Sequence, residues 1–501
     1  MRRWILTLAL GGLLAATAGA QGIIDRVQEV VLDNGMTFLL LNRGEAPVFS
    51  SVIRWNVGSV DEPMGLTGIA HMFEHMAFKG TTTVGTTGWE AERPALEALN
   101  AAGVALVRAQ QDSAEAEEIA RLRAEYDRLV EEHRQFVVSN ELDEIYSAAG
   151  AEDLNAGTER DFTTYYVSLP ANQLELWCLI EAGRIRDGVL REFYAERDVV
   201  HEERRMRYDT DPEGFLVEQF LGTAFIAHPY RFPTIGWATD IMNLTTEDAE
   251  EFFREHYAPV NACGALVGNF DLDEAERLIR EHFSPIPAGE RNRRVNTVEP
   301  AQRGERRVEV HWDASPIVLV GYHKPNAPDR TDAVFDVIQT LLTSGRSSRL
   351  YERMVKRDQI ATDVEAFTFP GNKYPNLSTF YIQPRAPHTS ADAERVLYEE
   401  LERLASEPVT ERELQRAINI LVAAHVRGMA NNMSLARDLT FWHFIGGDWR
   451  WTDRWYDLVR GVTAEDIMEA ARTHYRRENR TVGVIVPRES AAATASPEVT
   501  P

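Results

Sequence analysis

The residues best placed to do chemistry are His71-Met72-Phe73-Glu74-His75. Two histidines four positions apart on a helix share one face, so both imidazoles can reach one cation. Glu74 lies between them. Its carboxylate cannot join its helix neighbours as a third ligand, but it can reach a water held at the metal. The order His-x-x-Glu-His inverts the commoner His-Glu-x-x-His metal motif. A catalytic zinc takes three protein ligands and keeps one position open, so a third ligand must come from elsewhere. The charged stretch Glu192 to Tyr208 reads as a helix and holds Glu196, Glu202 and Glu203. Glu196 and Glu203 are two turns apart, hence on the same face. One could bind metal while the other orients a ligand from behind.

The elements that must position these residues come in two sets. Leu244-Thr245-Thr246-Glu247-Asp248 opens a helical run to His256-Tyr257, followed by a strand from Cys263 to Val267. Val462-Thr463-Ala464-Glu465-Asp466 opens a run of the same length to His474-Tyr475, followed by a strand from Thr481 to Val486. A second echo, in the same order, links Thr164-Tyr165-Tyr166 to Thr379-Phe380-Tyr381. Two echoes in register argue for a duplicated unit. Val30 to Leu41 reads as a hairpin turning at Asp33-Asn34-Gly35. Helical periods cover Gly68 to Phe78, Glu175 to Ile185 and Asp271 to His282. Strands and helices do not alternate strictly, so the expected class is α+β: two homologous αβ units with an antiparallel-rich sheet and packed helices. Trp89 to Ser147 has no counterpart in the second half and reads as a helical hairpin inserted into the first unit. The expected boundaries are 21–284 for the first unit (insertion about 89–147), 285–304 for a linker, 305–489 for the second unit and 490–501 for a disordered tail.

Lys plus Arg number 53 against 78 Asp plus Glu, a formal charge of −25. Nucleic-acid binding needs a basic face, so this balance speaks against it. Two cysteines, Cys178 and Cys263, make neither a disulfide framework nor a thiolate metal site, and both are expected as buried thiols. Arg2-Arg3, the apolar run Trp4 to Leu14 and Ala18-Gly19-Ala20 read as a signal peptide over residues 1–20. That run is too short to span a bilayer stably. The expected mature protein is exported, periplasmic or secreted, with no stable membrane span.

Gly65 to Thr81, which contains the metal motif, resembles the metal-site segment of the pitrilysin/insulinase family of zinc peptidases, to which the mitochondrial processing peptidase belongs. Glu196-Arg197-Asp198-Val199-Val200-His201-Glu202-Glu203 resembles that family's third-ligand helix. Asn155-Ala156 with Thr163 to Tyr166 resembles its substrate-binding edge strand. The resemblance covers nearly the whole mature chain. It implies one Zn2+ per chain held by His71, His75 and Glu203, with Glu74 as general base, Glu196 behind the ligands, and Asn155 and Ala156 binding substrate. Glu202 is the fallback third ligand. The implied activity is an exported zinc metalloendopeptidase that hydrolyses extended or unfolded peptides in a chamber formed by two similar chains.

Two departures from the family pattern stand out. The family places an Arg and, seven residues later, a Tyr in its C-terminal unit to hold substrate. Val355 and Thr362 occupy those places here, unless Arg353 or Arg357 substitutes. The second half is also metal-free, with Ile418 at the position equivalent to Glu203. The chain therefore resembles the zinc-bearing subunit type, whose expected partner is a metal-free sister subunit supplying the Arg/Tyr pair, or a second copy. The competing reading is a non-catalytic metal-binding subunit of the same fold. The intact Glu74 argues for the enzyme, since a structural metal site needs no base. A di-iron bundle is opposed by the strand content and by the lack of any Glu three residues before a His.

Overall fold

The computed structural model describes residues 22–488, apart from Ile23 and Glu45. The expected signal peptide over 1–20 and the expected tail over 490–501 lie outside the described residues. No helix among the described residues is long and apolar enough to cross a membrane. The residues group into two compact units, each with one sheet.

The first unit has a six-stranded sheet in the order β1-β2-β6-β3-β5-β4. Its strands are β1 (Gln28–Val31), β2 (Thr37–Asn42), β3 (Val48–Trp55), β4 (Glu152–Thr158), β5 (Thr163–Pro170) and β6 (Ala262–Gly268). The β1–β2 hairpin forms where the turn residues place it, with Gly35 at φ +85°. β6 lies between β2 and β3 and is buried along its whole length. One sheet face, with Leu39, Val52 and Val267, packs on Leu435, Leu439 and Trp449. Gly264 admits the Phe38 ring, since a Cβ there would sit 2.5 Å from it. Phe38 in turn meets Trp177 and Phe283 edge-on. Cys178 and Cys263 are free and buried.

The second unit has a five-stranded sheet in the order β7-β11-β8-β10-β9. Its strands are β7 (Arg306–Trp312), β8 (Val318–Lys324), β9 (Ala361–Phe369), β10 (Asn376–Pro384) and β11 (Arg480–Pro487). This order repeats β2-β6-β3-β5-β4 strand for strand. Even the single parallel pair recurs, as β2 with β6 and β7 with β11. The two echoed helices carry the same capping box, Thr245 with Asp248 and Thr463 with Asp466. After each helix an asparagine amide, Asn261 or Asn479, donates to the carbonyl of His256 or His474. The duplication is thus repeated down to single side-chain hydrogen bonds.

The chain crosses from the first unit to the second between Thr297 and Val298, in a stretch without helix or strand. Two other segments depart from the expected linear boundaries. Residues 205–231 belong to the second unit and 422–457 to the first. In the second unit the helix Pro212–Ala224 packs on β7, β8 and β11, and in the first unit Asn432–Ile445 packs on β3 and β6. Each half therefore supplies a helix that covers the other half's sheet. A cut by sequence position cannot show such an exchange.

Seven helices matter below. They are α1 (Ile69–Met76), α2 (Trp89–Gln111), α3 (Ala116–Arg134), α4 (Glu141–Ala148), α5 (Leu174–Arg186), α6 (Phe193–Arg204) and α7 (Thr246–His256). α2 and α3 pack together as the inserted hairpin. A buried ion pair ties this insertion to the rest of the first unit. Arg191, with no exposed surface, donates to both Glu92 oxygens at 2.6 and 3.0 Å. Its other donors go to the carbonyls of Lys79, Val84 and Thr81. His133 of α3 completes the cluster, 3.0 Å from Glu92. Removing one partner of a buried pair leaves an uncompensated charge, which costs about 3–5 kcal/mol. Glu92→Ala should therefore lower the unfolding free energy by about that amount in urea titrations. A loss below about 1 kcal/mol would mean that water or another group takes over the Arg191 contacts.

Candidate metal centre

The helix α1 is only eight residues long, too short to be stable by itself. Its start is fixed from outside. Gly68 caps it in the left-handed region, at φ +92°, and a Cβ there would lie 2.4 Å from the Ile235 carbonyl oxygen. The buried Glu62 carboxylate accepts the N–H groups of Gly68 and Ala70, each at 2.9 Å. Burial pushes the Glu62 carboxyl up to about 8, against the lowering effect of those two amides and of Arg160. Thr67 donates its hydroxyl to Asp240 at 2.6 Å and accepts from the Trp237 amide.

Across from α1, α6 carries Glu196 and Glu203 on one face. The helix starts at Phe193, after Glu192 at φ +57°, and gives way at Arg205 to a wider turn through Asp209. It is thus shorter at both ends than the sequence period suggests. Glu203 Oε2 lies 3.7 Å from His71 Nε2 and 3.5 Å from His75 Nε2. The two imidazole rings are 4.8 Å apart. One ligand atom from each of the three residues lies within 4.8 Å of the others. Ligands about 2.0–2.1 Å from a tetrahedral zinc stand roughly 3.3 Å from one another. The donor set therefore fits that ion with small side-chain movements.

Glu196 sits where it can orient His75. Its Oε1 is 3.0 Å from His75 Nδ1, while its Oε2 takes Lys79 Nζ at 2.6 Å. Lys79 also reaches Glu192 at 3.4 Å. Burial opposes the charge on Glu196, but His75 and Lys79 outweigh it and hold the carboxyl down at about 2. Burial likewise opposes a charged His75, yet Glu196 and Glu203 push the imidazole up to about 9. A cation at this site would compete with that proton.

Glu74 is next to the pair and outside the ligand group. Burial raises its carboxyl, offset in part by hydrogen bonds with Thr158 and by the charge of His75. Thr158 ends β4, the edge strand that also carries Asn155 and Ala156. These pair with Tyr166 and Tyr165 of β5. β4 has no strand on its outer side among the described residues, and Asn155 is exposed. The fallback ligand Glu202 is exposed and outside the group, because adjacent helix positions point about 100° apart.

The second unit offers no such group among the described residues. Ile418 is buried there, in the helix Glu411–Met429. Val355 lies in the turn Tyr351–Arg357, and Thr362 is exposed on β9, 3.0 Å from Gln383 Oε1. The alternatives are engaged elsewhere. Arg353 pairs with Glu399 and Glu400, and Arg357 with Asp358 at 2.7 Å.

Three residues of the site were missed by sequence reasoning. Lys79 stands four after His75, just past the end of α1, and no local pattern gives its partner on α6. Glu62 caps α1 across a loop rather than through a capping box. Thr158 reaches Glu74 only through strand pairing. A carboxylate behind a metal-binding histidine typically controls affinity 10–100-fold. Glu196→Gln should weaken zinc binding by about that factor in a chelator competition, with the fold intact by circular dichroism. Unchanged affinity would mean that His75 is oriented without Glu196.

A family model described as insulinase (peptidase family M16) matches residues 39–102, and one described as the peptidase M16 inactive domain matches 243–421. The zinc protease PqqE of Helicobacter pylori is 27% identical over 422 residues, which span 82% of each chain. Among solved structures, a protease from Helicobacter pylori superposes with a TM-score of 0.78 at 23% identity, covering 92% of this chain and 99% of that one. The periplasmic protease PqqL from Escherichia coli gives 0.70 at 18% identity, covering 94% of this chain but 49% of that one. One PqqL chain is thus about twice the length aligned. With these likenesses over a duplicated α+β fold, the chain belongs to the insulinase family, peptidase family M16.

Proposed function

We propose that this chain is an exported zinc-dependent endopeptidase acting on extended or unfolded peptides. The observation that carries the reading is the convergence of His71, His75 and Glu203 beside a half-buried Glu74 that is not a ligand. His71, His75 and Glu203 would hold a zinc ion, which would supply Lewis acidity towards a scissile carbonyl and a water. Glu74 accepts the proton of the attacking water on its carboxylate and returns it to the leaving amine nitrogen. Glu196 fixes the His75 ring through Nδ1, and Lys79 keeps Glu196 charged. The open edge of β4 accepts a substrate backbone as an added strand, with Asn155 and Ala156 alongside it. That geometry favours extended chains over folded ones.

The partner in this reading is a chain of similar fold. Val355 and Thr362 offer no Arg/Tyr pair, and Arg353 and Arg357 are held by carboxylates. A metal-free sister subunit would supply the pair and close the chamber, or else two identical chains would form it. The double length of PqqL agrees with a pairing of two such chains. Export rests on the pattern of residues 1–20 and on the periplasmic location in the PqqL name.

The test is hydrolysis of an unstructured fluorogenic peptide by the zinc-loaded mature chain, with Glu74→Gln as control and zinc content measured in both. Removal of a general base lowers turnover by about 10²–10⁴-fold, so the variant should bind zinc and lose nearly all activity. Turnover by the chain alone would remove the need for a sister subunit. Equal turnover in the variant would sink the role given to Glu74. A chain that binds zinc but stays inactive with every similar chain encoded beside it would favour the non-catalytic reading.

A further inference from the structure

The face of α1 that points away from the histidines borders a cavity. Phe73, Met76 and Ala77 stand roughly 140–240° around the helix from His71. They line a cavity of about 410 Å³, whose far side is formed by the inserted helix α2 and whose end is formed by α7. That volume is in the range of small-molecule sites. The cavity lies wholly within the first unit and shares none of its lining with the metal ligands, Glu74 or β4.

Its chemistry divides into an apolar floor and a charged rim. Phe73, Met76, Leu96 and Phe253 make the floor, with Phe73 stacked on Phe253 at 4.7 Å. At the exposed rim stand Arg93 and Glu97 of α2 and Glu250 of α7. None of these three makes an ion pair or side-chain hydrogen bond among the described residues. The neighbouring Arg184, Arg186 and Asp187 differ, since Arg184 is bound to Glu181 and Arg186 to Asp187. Burial and the nearby Glu247 raise the Glu250 carboxyl, as expected for an acid that lacks a cation. One uncommitted cation and two uncommitted anions around an apolar floor match a ligand with an ammonium, a carboxylate and an apolar body.

We propose that this cavity is a binding site for a short zwitterionic peptide or amino acid with an apolar side chain. The ammonium pairs with Glu250 and Glu97, the carboxylate with Arg93, and the side chain rests on Phe73, Met76 and Phe253. The insertion is then a wall of a ligand site as well as a strut. The buried Glu92–Arg191 pair gives that wall a fixed position, because Glu92 precedes Arg93 on α2. The inference goes beyond the peptidase reading and does not need it, as nothing in the cavity takes part in hydrolysis.

The test is isothermal titration of the full mature chain with the dipeptide Leu-Phe, in the Glu74→Gln background, with zinc bound and again after its removal. We expect saturable one-to-one binding with a Kd below about 1 mM, unchanged within about threefold by zinc removal. Arg93→Ala and Glu250→Gln, both at exposed positions that should leave the fold intact, should each weaken it by about tenfold or more. N-acetyl-Leu-Phe-amide, which lacks both charges, should bind at least as poorly. No saturable heat up to about 10 mM would overturn the proposal. So would binding that disappears with zinc and ignores Arg93→Ala, since the dipeptide would then sit at the metal centre. An inactive enzyme would leave every one of these readings intact.

Discussion

The peptidase reading of this chain depends on Glu203 reaching the two imidazoles of α1. Two histidines one turn apart are a common surface feature, and a carboxylate from another element makes them a metal site. Here that carboxylate is 3.5 and 3.7 Å from the two Nε2 atoms. Glu203 and Glu196 on either side of His75 favour its protonated form, and a cation would take the place of that proton. Lys79 balances the charge of Glu196 behind it. The result is a layered arrangement in which each charged group faces one of the other sign.

Neither α1 nor α6 would hold this geometry alone. α1 is short and starts at a glycine in the left-handed region, so Glu62 and Asp240 fasten its entry loop. The segment that leaves α1 is fastened by Arg191, whose donors meet the carbonyls of Lys79, Thr81 and Val84. Arg191 lies two residues before α6. One buried guanidinium therefore links the exit of the histidine helix to the entry of the carboxylate helix. Glu92 of the inserted hairpin provides its countercharge. An arginine in that place would be prohibitively costly without such a partner, so the insertion helps to hold the candidate ligand group in place.

The duplicated units show how one fold can keep or lose a site. Their sheets share strand order, strand directions, capping boxes and the asparagine bonds after the capped helices. The second unit holds no such ligand group among the described residues, and Ile418, expected where the first unit has Glu203, is buried. The shared sheet order does not depend on the site. Fold and chemistry are therefore set by different residues in this chain.

The sequence by itself determined the fold class and the helix faces on which the candidate groups lie. The spacing of His71 and His75 fixes their common face on any helix, and Glu196 and Glu203 share a face for the same reason. The echoes around Thr245 and Thr463 gave the duplication, because a capping box is a local pattern that survives without tertiary context. Tertiary structure decided what depends on residues far apart in the chain. The choice of Glu203 over Glu202 became a matter of direction once α6 was placed against α1. The roles of Glu62, Lys79 and Thr158 arise from contacts across loops and strands, for which no local spacing exists. The exchange of residues 205–231 and 422–457 between units was hidden too, since a helix carries its apolar face in its sequence but not the identity of the sheet that will cover it.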